Sequence, residues 1–272
     1  MLKIAHQTSA PVTVDKVQDG RHQTQQDILA EETPIALVYN GVSHAVMLAS
    51  GADLEDFALG FSLAENIIQH PKQLYSVEVE QQCEGIALQM QIATACFAEL
   101  KQRRRSMAGR TGCGLCGAES LTQALRLPNQ PVSRAATVHL SDIHKALQAL
   151  PQFQPLQQAT GATHASAWAN LAGDIQLVRE DVGRHNALDK LLGARARQMQ
   201  AGVDGAGFFV TTSRASYEMV QKTAAADIAL LVAVSAPTAL AVRLAEQLEI
   251  SLIGFARAHQ MVIYTDKQGL IK

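Results

Sequence analysis

A chain of 272 residues is long enough for a sizeable core, and its length permits one large domain or two smaller ones. With 23 basic against 25 acidic residues the formal charge is −2, so no global basic field exists to attract nucleic acid, and any anion site must be local. The longest apolar stretch, roughly residues 228–242, is short of the ~20 residues of a bilayer span and is interrupted by Ser235 and Pro237, so no membrane partner is expected.

Taken in chain order, M-L-K-I-A-H-Q-T-S-A lacks the apolar core of a secretory signal, which points to the cytoplasm. The opening residues read as strand and loop. I-A-L-V-Y-N-G-V-S-H-A-V-M-L then shows two strand-like runs around Asn40-Gly41, a dipeptide that favours the positive φ of a hairpin turn. Asp53 is placed to cap a helix through about His70, because Leu54, Phe57, Ala58, Phe61 and Ile68 recur at roughly helical spacing. L-Y-S-V-E-V-E and G-I-A-L-Q-M-Q-I alternate like strands, and a short helix is expected from Ala95 to about Met107. A-E-S-L-T-Q-A-L-R-L fits a further helix, and the Pro- and Gln-bearing stretch from Leu127 to Val132 is the best candidate for a linker. Beyond it, Ser141 can cap another helix, and one theme repeats: an apolar strand, a loop of small and polar residues, a helix. It appears at D-I-Q-L-V-R-E, G-F-F-V-T-T and I-A-L-L-V-A-V, before the closing runs I-S-L-I-G-F and M-V-I-Y-T. Near-continuous apolar strands alternating with helices imply an α/β sheet covered on both faces.

Four cysteines without a secretory signal do not make a disulfide framework. Cys83 and Cys96 stand apart and read as small buried hydrophobes. Cys113 and Cys116, in T-G-C-G-L-C-G, are different. Zinc wants four ligands, and this is a single pair, completed only if distant His164, His185 or His259 join it. The pair matches half of the zinc deaminase signature, but the H-x-E half is absent, since His44 is followed by Ala45 and Val46. A redox or sulfur-transfer role requires a thiolate, and a free thiol has a pKa of about 8.5. Arg103, Arg104, Arg105 and Arg110, with the amino end of the helix expected near Ala118, supply charge to lower it. Cys113 is then the expected nucleophile and Cys116 its helper or resolver. Gly112, Gly114 and Gly117 suit delivery of a sulfur better than a rigid crosslink.

Three loops end the apolar strands of the second half. R-E-D-V-G-R-H-N places Arg184 and His185 at a helix start that favours an anion; the plain alternative is capping by Asp181, with His185 and Asp189 a solvated pair one turn apart. T-S-R-A-S brings Arg214, and S-A-P-T brings Ser235 and Thr238, each with plain helix capping as its alternative. At equivalent ends of one sheet these loops form a crevice suited to a phosphate-bearing ligand. G-F-A-R-A-H-Q adds Phe255, Ala256, Arg257, Ala258, His259 and Gln260; guanidinium and ring can clamp a base and its phosphates, or Phe255 is simply core.

Together D-L-E-D-F-A-L-G-F, T-G-C-G-L-C-G-A, E-D-V-G-R-H-N-A-L-D-K, S-A-P-T-A-L-A and L-I-G-F-A-R resemble the formate dehydrogenase accessory sulfurtransferase family, FdhD, and span most of the chain in that family's order. The linker at Leu127 to Val132 places the domain boundary, with a smaller N-terminal α+β part over 1–130 that ends in the cysteine loop and a nucleotide-cofactor-binding domain over 131–272, for which the resemblance implies a cytidine-deaminase-like mixed sheet with helices on both faces. The resemblance implies a homodimeric sulfur carrier that accepts sulfur from a cysteine desulfurase as a persulfide on Cys113. The acceptor is the molybdenum bis-molybdopterin guanine dinucleotide, bound as substrate near Phe255 to Gln260 before insertion into formate dehydrogenase apoprotein, with no intrinsic metal. Two rivals stay open on the residues alone: a thiol–disulfide oxidoreductase cycling Cys113 and Cys116, and a non-catalytic chaperone for the guanine-nucleotide cofactor. Where the family shows Ser-Gly-Arg this chain has Thr212-Ser213-Arg214, and Ser50-Gly51 and Ala64-Glu65-Asn66 also depart from the usual forms.

Overall fold

The computed structural model describes residues 7–272 apart from 109–130, Asp204 and Ala258, with the backbone alone for 104–108. Cys113, Cys116 and the helix expected after them lie outside the described residues. A hairpin of β1 (Ser9–Gln18) and β2 (Arg21–Ala30) opens the chain, its ten paired positions closing on the left-handed turn Asp19-Gly20.

The next unit is a four-stranded sheet in the order β4-β3-β6-β5, from β3 (Thr33–Tyr39), β4 (Val42–Ala49), β5 (Leu74–Gln82) and β6 (Gly85–Ile92). Asn40 and Gly41 take the positive φ expected of that dipeptide, 46° and 79°. Ile35, Leu37, Tyr39, Leu88 and Met90 point from this sheet into a core shared with helix α1 (Leu54–Ala64) and helix α2 (Thr94–Ala108). The first helix is shorter than its periodicity suggests. It stops at Ala64 because Asn66 turns left-handed, at φ 52°, and Ile67 and Ile68 reach the core from the turn that follows. Asp53 precedes the helix at φ 53° without a side-chain capping bond.

The second sheet has six strands in the order β12-β11-β10-β9-β7-β8: β7 (His164–Asn170), β8 (Ile175–Asp181), β9 (Gly207–Thr211), β10 (Leu230–Ala233), β11 (Ser251–Arg257) and β12 (Gln260–Thr265). β9, β10 and β11 pair in parallel; β7 runs against both β8 and β9, so β8 points the same way as that trio. Alternate residues serve opposite faces. Phe209, Leu231 and Leu252 meet helices α5 (Arg184–Gln200), α6 (Tyr217–Ala225) and α7 (Ala239–Gln247), whereas Phe208, Val210, Val232 and Ile253 meet helix α3 (Leu140–Ala149). The sheet is therefore covered on both faces, as expected. Helix α3 begins two residues earlier than a Ser141 cap would place it, with His139 as the residue before it. Short helix α4 (Pro155–Thr160) packs against β2.

The two sheets are joined through α1 and α5. A Cβ on Gly60 would stand 1.7 Å from the Asp189 carbonyl oxygen, and one on Gly193 would stand 1.9 Å from that of Asp56, so the helices cross backbone to backbone. Only glycine fits at both positions.

Candidate functional site

Because β8, β9, β10 and β11 point one way, the loops after them gather at one edge of the sheet, where the start of β7 also lies. Backbone bonds lace the loops together: Thr212 N to Ala165 O, Thr238 N to Ala215 O, and Phe255 N to Ser235 O at 3.1 Å. The predicted residues Arg184, His185, Arg214, Ser235, Thr238 and the 255–260 turn thus reach one crevice. Arg184 and His185 are the first residues of α5, after Gly183. Arg214 is exposed on the loop before α6, and Thr238 spends its hydroxyl capping α7 through Ala241 N. Ala256 is buried, whereas Phe255, Arg257, His259 and Gln260 are exposed. Phe255 is therefore not core; its backbone takes a φ of 48°, which turns the ring outward. Ala258 lies outside the described residues. Ser213 stands where the family has glycine, yet its φ is not positive and its hydroxyl bonds Thr211 Oγ1 at 3.0 Å, so serine fits there without backbone strain.

Two residues that the sequence reading did not single out, Glu218 and Tyr217, belong here. His185 Nε2 donates to Glu218 Oε2 at 2.7 Å and lies 3.4 Å from Ser216 Oγ, which ties the starts of α5 and α6. That bond, with the positive charges of His185, Lys222 and Arg184, holds the Glu218 carboxyl below its ordinary range. Tyr217, the first residue of α6, has a buried hydroxyl with no partner among the described residues, and the buried Nε of Arg184 is equally unbonded there. Buried polar atoms are nearly always satisfied, so two orphans side by side at adjacent helix starts set this corner apart. His164, left undecided by the sequence, is half buried beside them. Burial, then the neighbouring Arg184 and His185, push its pKa down.

The rest of E-D-V-G-R-H-N-A-L-D-K faces the other way, into the seam with the first sheet. Asp181, fully buried, receives Gly183 N, Asn186 Nδ2, both N and Oγ of Ser50, and Lys190 Nζ at 2.7 Å. Lys190 also donates to Ser50 O, and Asn186 to Leu48 O. Asp189 is no solvated partner of His185: it is buried and bound bidentately by Lys222 at 2.7 and 2.8 Å, with Glu65 at 3.4 Å from the same ammonium. Two departures from the family pattern, Ser50 and Glu65, therefore lie on this network. Cys96 is buried as expected, but Cys83 is exposed, on the turn between β5 and β6.

At the opposite edge of the sheet, among the carboxyl ends of α1, α5 and α6, lies a cavity of about 790 Å³ walled by Leu63, Ile68, Leu192, Ala196, Met199 and Ala225. The residues flanking 109–130 attach at its rim. Arg103 Nη1 donates to Asn66 O, and Ser133 N to Asp227 Oδ1 at 2.7 Å. None of the described crevice residues lines it.

Comparison with known proteins agrees with this arrangement. The chain is 56% identical over 264 residues to the sulfur carrier protein FdhD of Cupriavidus necator, covering 97% of this chain and 90% of that protein. It is 55% identical to the protein of that name from Bordetella petrii, covering 91% of this chain and 88% of the other. The fold is that of a putative formate dehydrogenase accessory protein from Desulfotalea psychrophila, with a TM-score of 0.72, 21% identity, and coverage of 96% of this chain and 98% of that one. A family model matches residues 30–271, from the first sheet through the crevice to the last strand, and the chain belongs to the FdhD/NarQ family.

Proposed function

We propose that this protein is a cytoplasmic sulfur carrier for formate dehydrogenase maturation. It takes sulfur from a cysteine desulfurase as a persulfide on Cys113 and passes it to the molybdenum bis-molybdopterin guanine dinucleotide, which it binds as substrate at the strand-end crevice. The observation that carries the binding half is the meeting of Arg184 and His185 with the start of α6, where buried Arg184 Nε and Tyr217 Oη lack partners among the described residues. Guanidinium and helix-start N–H groups are the donors that a ligand with several phosphates requires. The exposed ring of Phe255 beside Arg257 suits a guanine base. The relatives' name, sulfur carrier protein, supports the transfer half.

The chemistry balances without an external oxidant. The Cys113 thiolate attacks the terminal sulfur of the donor's persulfide; the S–S bond there breaks and leaves the donor thiolate, while a new S–S bond forms on Cys113. In delivery the Cys116 thiolate attacks Cys113 Sγ, an S–S bond forms between the two cysteines as the persulfide bond breaks, the terminal sulfur leaves as sulfide to the molybdenum centre, and an external dithiol then reduces the Cys113–Cys116 disulfide and is itself oxidised. The two catalytic roles are thus Cys113 as carrier and Cys116 as resolver.

Intact-protein mass spectrometry after incubation with a cysteine desulfurase and cysteine tests the reading. The expected result is a reducible gain of one sulfur atom that is lost in Cys113→Ala and retained in Cys83→Ala. No added sulfur on any form, with an active desulfurase, overturns it.

A further inference from the structure

The resident partner of the cationic corner is itself an anion. Glu218 sits in the first turn of α6, its side chain mostly exposed, with Oε2 2.7 Å from His185 Nε2. Its field is positive: His185 touches it, and Lys222 and Arg184 are near enough to stabilise its charge. Each of those cations has a reason to be held there independently of Glu218. Lys222 is pinned by Asp189 and Glu65, and Arg184 and His185 follow from Asp181 and Asn186, which fix the start of α5. Spacing makes the arrangement a ladder. His185 and Asp189 are one turn apart on α5, Glu218 and Lys222 one turn apart on α6, and the two rungs carry charge in opposite order. The inner rung is buried and the outer one opens on the crevice.

We propose that Glu218 is an internal competitor for the ligand, its carboxylate occupying the corner that a phosphate must take, so that it sets which anions are charged enough to enter. This rests on the strand-end crevice being the phosphate-binding site. A ligand with one phosphate meets the carboxylate head on. A ligand with a diphosphate can anchor one group on Arg184 and the start of α5 while the other displaces Glu218 from His185. The carboxylate then selects for multiply charged nucleotides against the monophosphates and inorganic phosphate that are abundant in a cell. Displacement costs little structure, because the inner rung holds the helices in place whether or not the outer one is closed.

Titration calorimetry of the full chain with guanosine diphosphate and guanosine monophosphate, as the unmodified protein and as Glu218→Gln, decides the matter. Removing one negative charge a few ångströms from a phosphate is expected to tighten diphosphate binding on the order of tenfold at low salt, with a smaller gain at high salt. Monophosphate binding is expected to gain more, so that the ratio between the two ligands narrows. Unchanged or weaker diphosphate binding by Glu218→Gln, with the unmodified chain binding normally, overturns the proposal and leaves the crevice as the binding site. Binding by Glu218→Gln alone supports it. Absence of binding by both chains overturns the crevice reading and this proposal with it.

Discussion

The crevice and the seam between the sheets are built from one stretch of sequence, yet they treat polar groups in opposite ways. In the seam, Asp181, Asn186, Asp189 and Lys190 are buried and each is bonded: Asp181 alone receives five donors. In the crevice, Arg184 and His185, interleaved with them in sequence, are half exposed, and Arg184 keeps a buried nitrogen unbonded. A helix turns by about 100° per residue, so successive residues of α5 divide between the two surroundings. Within this one motif, the residues turned to the seam have their polar groups satisfied and those turned to the crevice keep donors to spare.

Substitutions on the two sides should separate stability from binding. The largest effect is expected from Lys190→Met, which leaves the Asp181 carboxylate buried without its cation; such a break costs about 3–5 kcal/mol, read by urea denaturation. Arg184→Ala should leave the urea midpoint nearly unmoved while guanosine diphosphate affinity falls by the worth of charged hydrogen bonds, about 1.5–3 kcal/mol, read by calorimetry. If both variants lose stability equally, the distinction between seam and crevice fails. The smallest effect concerns His164, whose pKa is held below its ordinary value by burial and neighbouring cations. As pH falls through about 6.5, the unfolded chain takes up a proton that the folded chain refuses, so stability drops on the acid side, and His164→Gln should flatten that slope. A bound diphosphate should act in the reverse sense, raising the imidazole's titration midpoint followed by NMR.

Much of the fold was legible because its signals are local. Asn40-Gly41 states its turn, and the apolar runs of β9, β10 and β11 state burial on both faces. β7 escaped notice because H-A-S-A-W-A-N is made of small residues whose strand character comes from neighbours on both edges. The periodicity overstates the length of α1 because Ile68 keeps the helical spacing while Asn66 breaks the backbone. The loops of the crevice were readable as strand ends. The ladder was not, since His185 pairs with Glu218 and Asp189 with Lys222 only once two helices separated by a strand are laid side by side.

The opening hairpin has a consequence of its own. β1 and β2 pair with each other alone, both outer edges lack a neighbouring strand among the described residues, and Val17, Ile28 and Leu29 are exposed. A two-stranded ribbon is marginal by itself, so its packing on α4 bears much of the resistance to local opening among the described residues. Its amides should be the first of the sheet amides to exchange with solvent, its turn at Asp19-Gly20 the first place a protease enters, and the sheets from residue 33 onward should outlast its removal.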